Sequence, residues 1–265
     1  MLSNVFVKTI RDLRGQVLGW GIGLGVMTAT TVLVYPSFQH LIELEGLIKS
    51  MPPAMQKFVG GQASLGIPEE YLNMKLFDSW LPIILAVFAI VQGAAAIAGE
   101  EENGTIDLLM ANPVTRWRII LEKFAAIGVA VVLMTVVNCL GLVLGLLVTG
   151  LDASFVRLVW ATLNMIPVVL VFGAIALVGS CVFHRRRPAS AIAVVILVSS
   201  YFIYVLGRLS EAVQPWLKLS LFHYYEKTNP IGNEVDTGSI LLLVGLVVIL
   251  VTAAVIAFKK KDLKV

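Results

Sequence analysis

Residues 124–151 read FAAIGVAVVLMTVVNCLGLVLGLLVTGL and contain no Asp, Glu, Lys or Arg. About 20 apolar residues are enough for a helix to cross the hydrocarbon core of a bilayer, so this stretch predicts a membrane-spanning helix. Further stretches that lack all four charged residue types also reach this length: 15–42, 79–99, 158–183, 188–207 and 237–258. The sequence therefore predicts six spans.

The composition of the whole chain supports the same fold class. Of its 265 residues, 58% are hydrophobic and 14% are charged, whereas an average soluble domain has about 25% charged residues. The sequence lacks the short apolar–polar alternation typical of a membrane β-barrel. The first apolar stretch is too long for the core of a signal peptide, so we expect it to be retained as an anchor. We predict an all-α integral membrane protein made of one transmembrane domain, residues 1–265, with spans at about 16–36, 79–99, 120–150, 156–183, 188–207 and 238–258.

Basic residues are concentrated in segments that would share one side of the membrane. With six spans, the N-terminal segment, the loops at 100–123 and 184–187 and the C-terminal tail lie on one side, and they hold most of the 20 Lys and Arg residues. An excess of Lys and Arg in short loops marks the cytoplasmic face. We therefore expect a multi-pass protein of the cell (inner) membrane with both termini in the cytoplasm. The outer side would carry a segment at 37–78 and a region of short re-entrant helices at 208–232.

The sequence offers little for catalysis or metal binding. Cys139 and Cys181 both lie inside predicted spans, where they are expected to act as small packing residues. The chain has no GxxxxGK[ST] phosphate loop, and His184 and His223 would lie on opposite faces of the membrane. We therefore predict no catalytic residue, no metal, no cofactor bound by this chain and no nucleic-acid partner.

The charged stretch 99–123, GEEENGTIDLLMANPVTRWRIILEK, separates the second span from the third. Its three acids must end the second span, and Asn and Gly directly after them tolerate the left-handed conformation found at helix C-termini. Thr105 can cap a short helix over 106–111, which ends before Pro113 because the residue preceding a proline disfavours the helical conformation. A short, partly apolar helix held crosswise under the membrane fits a groove on another protein.

This loop resembles the first cytoplasmic loop of permease subunits in the type-2 ABC exporter superfamily. The resemblance rests on the pattern Glu100-Glu101-x-x-Gly104-Thr105-Ile106-Asp107-x-Leu109-Met110-x-x-Pro113-Val114-Thr115-Arg116, followed by Lys123. The PPxMxxF segment at 52–58, YYEKTNP at 224–230 and the FKKKDL ending extend it along the whole chain. Glu101, three residues before Gly104, is our choice for the acid that the family carries.

The resemblance implies roles for two cytoplasmic segments. Residues 106–111 would form a coupling helix, within a coupling loop at 100–117, that docks in a cleft of a separate ABC ATPase. The residues implicated in this contact are Glu100, Glu101, Gly104, Thr105, Ile106, Leu108, Leu109, Pro113 and Arg116. The amphipathic pattern at 2–14 would form a connecting helix on the membrane surface, with Phe6, Lys8, Arg11 and Arg14.

The same resemblance implies the assembly and the energy source. Two copies of an ATPase would hold ATP and Mg, and a second copy of this chain or a related permease would complete the membrane part, a homodimer being the simpler arrangement. The six charge-free stretches that form the cores of the predicted spans hold no Asp, Glu, Lys or Arg of the kind that ion-coupled pumps use. We expect the membrane subunit of an ATP-driven exporter; the alternatives are a non-transporting mechanotransmission or sensory subunit and, less favoured, an intramembrane enzyme.

Inside the spans, the sequence makes three further predictions. The pairs Gly19/Gly23, Gly21/Gly25 and Gly141/Gly145 have the GxxxG spacing of closely packed helices, within the subunit in preference to a dimer seam. Pro167 predicts a kink in the fourth span. Candidate residues along a substrate path are Phe88, Gln92, Met134 and Asn138. For the polar residues Gln92, Asn138, Asn164 and Ser180, however, we favour hydrogen bonds between helices.

Overall fold

The computed structural model describes residues 5–39, 52, 67–107, 114–231 and 235–261. The regular elements of this part are all helical: α1 (Val5–Gln39), α2 (Pro68–Leu72), a π-helix (Asn73–Trp80), α3 (Leu81–Ala95), α4 (Ala98–Glu102), α5 (Arg116–Thr149), α6 (Phe155–Leu163), α7 (Met165–Val182), α8 (Arg186–Leu209), a 3₁₀-helix (Gln214–Leu219), α9 (Leu221–Thr228) and α10 (Thr237–Lys260). Within the described residues, six helical stretches are long and apolar enough to cross a membrane: Val5–Ser37, Pro68–Ala95, Arg116–Thr149, Phe155–Val182, Arg186–Leu209 and Thr237–Lys260. The predicted all-α class with six spans is confirmed.

Helix α7 lies at the centre of the bundle. It packs against α3, α8 and α10, and 61% of the apolar window of its span is buried, against 17% for α10. The long helices α1 and α5 pack against each other along much of their length. The remaining faces of the outer helices carry large apolar side chains that no other part of the described chain covers, as expected for surfaces exposed to lipid.

Glycines bring α1 and α5 into close contact. A Cβ atom added to Gly141 would lie 2.1 Å from the carbonyl oxygen of Gly25, and one added to Gly145 would lie 2.7 Å from Cβ of Val32. Two of the predicted glycine pairs therefore pack inside the subunit, as expected. The third pair does not: an added Cβ at Gly19 or Gly23 meets no atom within 4 Å.

The N-terminal amphipathic segment differs from its predicted form. We expected a separate connecting helix at 2–14, but from Val5 onward the described chain is one continuous helix that becomes the first span. No proline lies between this segment and the apolar run, and a single Gly15 is tolerated inside a helix at a cost of about 1 kcal/mol. The segment therefore continues the direction of α1.

Two of the spans are interrupted. The predicted kink in the fourth span is present, and α6 ends at Leu163 because Pro167, four residues on, has no N–H to donate to the Leu163 carbonyl. The second break was not predicted. Helix α3 ends at Ala95, and the chain bends at Ala96 and Ile97 before α4 begins.

The two ends of the bundle differ in charge. We call the basic end the one formed by the start of α1, α4, the start of α5, the α7–α8 turn and the end of α10. At the opposite end, Nη1 of Arg208 donates to the Tyr204 hydroxyl at 2.7 Å and lies 3.6 Å from Oε1 of Glu226. This contact ties the end of α8 to α9, which lies in the region 208–232 where short helices were predicted.

Candidate functional site

The bend between α3 and α4 positions the charged loop beneath the bundle. The Ser180 hydroxyl oxygen, on α7, accepts hydrogen bonds from the backbone N–H groups of Ile97 at 2.9 Å and Ala98 at 2.8 Å. These N–H groups begin α4 and would otherwise have no partner within their own helix. Ser180 therefore fixes where the second span stops and where the acidic helix starts.

The first acid, Glu100, pairs with the start of α5. Its Oε1 lies 2.7 Å from Nζ of Lys123, which also donates to the Ala96 carbonyl at 2.7 Å. The Thr105 hydroxyl donates to Oε2 of the same carboxylate. Burial raises the pKa of Glu100, but the charge and hydrogen bond of Lys123, the hydrogen bond of Thr105 and the charge of Lys8 together lower it by more, so this pKa lies below its ordinary value.

The second acid, Glu101, pairs with the C-terminal side of the bundle. Nζ of Lys261 lies 2.9 Å from its Oε1, and Nδ1 of His184 lies 3.1 Å from its Oε2. The Lys261 ammonium also donates to the carbonyl oxygens of Phe183 at 2.8 Å and Ser180 at 3.2 Å. The Glu101 and Lys261 side chains are only 8% and 5% exposed, so this ion pair is largely removed from water.

The third acid, Glu102, holds the beginning of α8. Its Oε1 accepts from the backbone N–H of Arg186 at 2.8 Å, and its Oε2 accepts from Nε of the same residue at 2.6 Å. The N–H belongs to the first turn of α8, where a negative charge is favourable. The two hydrogen bonds to Arg186 hold the pKa of Glu102 below its ordinary value.

We call Glu100, Glu101 and Glu102 together the acidic hub. Each contacts a different segment: the start of α5, the α7–α8 turn with the end of α10, and the start of α8. The sequence analysis predicted that these acids end the second span, but it identified none of their basic partners. A displacement of the loop that follows the hub would therefore act on three segments at once.

The turn after the hub has the predicted backbone conformation. Gly104 has φ of 66°, in the left-handed region, and the Thr105 N–H donates to the Glu100 carbonyl at 2.9 Å. Ile106 follows in helical conformation and is 3% exposed, packed in a cluster with residues that include Ile97 and Phe258. In this chain Ile106 anchors the loop to the bundle. The predicted contact residues Leu108, Leu109 and Pro113 lie outside the described residues.

Arg116 contacts the far end of the chain. Its Nη1 donates to the carbonyl oxygens of Phe258 at 3.2 Å and Lys261 at 3.1 Å, and its guanidinium lies 5.6 Å from the centre of the Phe258 ring. The last carbonyls of a helix lack partners within the helix and carry partial negative charge, so a cation is stabilised there. Arg116 thus caps α10 from another helix, a role that the local sequence pattern did not indicate.

Of the predicted connecting-helix residues, Phe6 makes a contact to α5. Its backbone N–H, in the first turn of α1, donates to Oε2 of Glu122 at 3.1 Å, and Oε1 of Glu122 accepts from Nε of Arg118 at 2.6 Å. Lys8 is half-buried, whereas Arg11 and Arg14 are exposed.

Of the candidate substrate-path residues, Phe88, Met134 and Asn138 are buried within the chain, and Gln92 lines a cavity near the basic end. The preference for hydrogen bonds between elements is confirmed: Gln92 donates to Gln16, Asn138 accepts from the Thr28 hydroxyl at 2.5 Å, Asn164 donates to the Thr228 carbonyl at 2.6 Å, and Ser180 accepts from Ile97 and Ala98. Among the described residues, no group of three or more His, Cys, Asp or Glu side chains could hold a metal ion.

Comparison with known proteins decides the family. A family model described as the multidrug efflux system permease Rv1217c, C-terminal domain, matches residues 2–259 of this chain. The chain belongs to this permease family. It is also 26% identical, over 182 residues, to the probable ABC transporter permease protein NosY of Stutzerimonas stutzeri. That match covers 61% of the permease and 64% of NosY. The resemblance to ABC permease subunits that the loop indicated is confirmed.

Proposed function

We propose that this permease is the membrane-spanning subunit of an ATP-driven ABC exporter and that it lies in the cell (inner) membrane with both termini in the cytoplasm. Two copies of a separate ABC ATPase would bind ATP and Mg, and a second copy of this chain or a related permease would complete the pathway. The basic end would then face the ATPases. Its concentration of Lys and Arg in short loops supports that orientation.

The acidic hub is the observation that carries the proposal. In an exporter driven from outside the membrane, movement of the ATPases has to reach several spans at once. The hub joins the loop at 103–117 to the starts of α5 and α8 and to the end of α10 through side chains that are paired with it at 2.6–2.9 Å. Closure of an ATPase dimer would move this loop, and the spans would shift together between inward-open and outward-open states.

The lack of charge inside the spans supports an external source of energy. Each of the six apolar stretches in the sequence is free of Asp, Glu, Lys and Arg, and proton- or ion-coupled transporters normally place such groups in their spans. Family membership supports efflux as the direction of transport. ATP can drive the change between the two states if the complex binds ATP more tightly in one state than in the other.

The test is affinity purification of the permease from its native membranes, with identification of co-purifying proteins by mass spectrometry. We expect an ATPase that carries a GxxxxGK[ST] loop to accompany the wild type and to be lost from Leu109→Asp. Val235→Asp introduces the same charge at the opposite end, at a side chain that is 41% exposed, and should retain the ATPase. Absence of an ATPase from the wild type, or its retention by Leu109→Asp, would refute the proposal.

A second measurement separates transport from its alternative. The complex is reconstituted in vesicles, and ATP-dependent movement of amphipathic dyes, labelled lipids and labelled peptides is measured together with ATP hydrolysis. Hydrolysis that depends on the permease but moves no dye, lipid or peptide would favour a mechanotransmission or sensory subunit.

A further inference from the structure

Two neighbouring cavities, together called the cleft here, lie along one face of α1 on the side of α3. A cavity of about 410 Å³ is lined by Gln16, Gly19, Trp20, Gly23, Leu24, Met27 and Ile84. A second cavity of about 150 Å³ lies closer to the basic end, and its lining includes Lys8, Asp12, Gln92, Glu100 and Lys123. A hydrogen bond from Gln92 to Gln16 joins the walls of the two cavities.

Along its length the cleft changes from apolar to charged, as a bilayer leaflet does from its hydrocarbon interior to its headgroups. Its lining from Gly19 to Met27 is apolar, whereas its lower part is charged and lies at the basic end of the bundle. At about 1.5 Å per residue, the distance from Gln16 to Met27 along α1 is about 16 Å. Half the hydrocarbon thickness of a bilayer is about 15 Å. The apolar part therefore has the length of one leaflet.

Two glycines, Gly19 and Gly23, line the upper part of the cleft. An added Cβ at either would meet no atom within 4 Å, so the space beside them is an open trough that a longer side chain would enter. Trp20, beside them, is 42% exposed, and its ring centre lies 6.4 Å from that of Phe88. An extended hydrocarbon chain would lie in this trough against the Trp20 indole.

The lower part of the cleft is lined by two cations, Lys8 and Lys123, and two anions, Asp12 and Glu100. Lys123 and Glu100 are paired with each other. Lys8 and Asp12, one helical turn apart on the same face of α1, are in none of these ion pairs among the described residues, although the charge of Lys8 acts on Glu100 and that of Asp12 acts on Lys123 at longer range. A ligand with one phosphate and one ammonium group would be complementary to both, with the phosphate at Lys8 and the ammonium at Asp12.

We propose that this cleft binds one zwitterionic aminophospholipid of the leaflet at the basic end. One acyl chain lies along Gly19, Trp20 and Gly23, and the headgroup lies between Lys8 and Asp12. The site is a lipid-binding site in the permease itself, and it does not depend on the transport cycle or on an ATPase.

The first experiment places a photoreactive amino acid at position 20 and measures the mass of the adduct formed in native membranes. An adduct with the mass of phosphatidylethanolamine is the expected result. An adduct with the mass of a second permease chain would assign the cleft to a subunit interface and overturn the proposal. An adduct with a different lipid, or the absence of any lipid adduct, would also overturn it.

The second experiment tests the trough in nanodiscs that contain a phosphatidylethanolamine with a photoreactive acyl chain. Gly23→Leu should lose most of the labelling, because its side chain occupies the cleft. Gly245→Leu is the matched control on α10, where an added Cβ also meets no atom within 4 Å, and it should label like the wild type. Equal labelling of the two variants would refute the site.

The third experiment tests the headgroup. In nanodiscs, Lys8→Gln should reduce lipid retention roughly fivefold, the effect of one lysine near a lipid phosphate. Arg14→Gln, an exposed residue outside the cleft lining, should not. Asp12→Asn should abolish a preference for phosphatidylethanolamine over phosphatidylglycerol. Unchanged selectivity in Asp12→Asn would contradict the assignment of the ammonium group.

Discussion

At the scale of single residues, the three adjacent acids of the hub have different surroundings and are not interchangeable. Glu101 is 8% exposed, Glu100 is 17% exposed and Glu102 is 26% exposed. An ion pair that is mostly buried has lost the hydration of both charges, so removal of one partner leaves the other uncompensated. An exposed pair is screened by water and contributes little.

Lys123→Met should destabilise the permease by about 3 kcal/mol, because the Glu100 carboxylate would keep its burial and lose its partner. Thermal unfolding in detergent measures the effect. The double variant Lys123→Met, Glu100→Leu should recover much of the loss, since no charge remains buried. The control Arg118→Ala breaks a pair whose arginine is 54% exposed and should cost no more than about 0.5 kcal/mol. Equal losses in the single variant and the control would contradict this account.

Glu102 should make stability depend on pH in the acid range. Hydrogen bonds from Arg186 lower the pKa of Glu102 in the folded state. The contribution of Glu102 to the free energy of unfolding is therefore complete above the pKa that this group has in the unfolded chain, about 4.3. It is lost as the pH falls through the lower pKa of the folded state. The wild type minus Glu102→Gln difference in melting temperature, recorded from pH 7 downward, should shrink only below about pH 5. A difference that is constant over this range would rule out the linkage.

At the scale of helices, the glycine contacts between α1 and α5 give a matched pair of substitutions. Gly141→Ala places a Cβ atom 2.1 Å from the Gly25 carbonyl oxygen, so the helices must separate, at a cost of about 1–3 kcal/mol. Gly15→Ala, on α1, meets no atom within 4 Å and should stabilise by up to about 1 kcal/mol through helix propensity. The melting temperatures of both variants in one detergent test this, and a stable Gly141→Ala would show that the contact is looser than described.

The same scale shows what the sequence could and could not predict. Charge-free length was enough to find the six spans, and Pro167 was enough to find the kink, because both depend on local chemistry. The bend at Ala96 and Ile97 depends on the hydroxyl of Ser180, which lies on a distant helix and has no local signature. The merging of the N-terminal segment into α1 was missed for another reason: an amphipathic pattern indicates which face is apolar, but not the angle at which the helix continues.

At the scale of the whole molecule, the basic end is a connected structure and not a set of separate loops. Lys261 joins α10 to the hub and to the α7–α8 turn, and Arg116 caps α10 from the start of α5. The residue pattern of the loop indicated that this region matters. It gave no indication of Lys261, because the contact of Lys261 with Glu101 forms only when the end of α10 packs beside α4.

Arg116 provides the sharpest test of how the loop and the last helix are linked. The resemblance to other permeases implies a contact with the ATPase, whereas the contacts to Phe258 and Lys261 imply a link within the chain. If the link is internal, Arg116→Gln should retain the ATPase on purification and retain ATP hydrolysis, but lose dye efflux in vesicles. Hydrogen exchange at 255–261 should become faster, because the carbonyls at the end of α10 lose their donor.

The control Arg118→Gln, a neighbouring basic residue without these contacts, should leave both exchange and efflux unchanged. Loss of the ATPase from Arg116→Gln, with exchange at 255–261 unchanged, would instead assign Arg116 to the docking surface and leave Lys261 and Glu101 to connect the loop with α10.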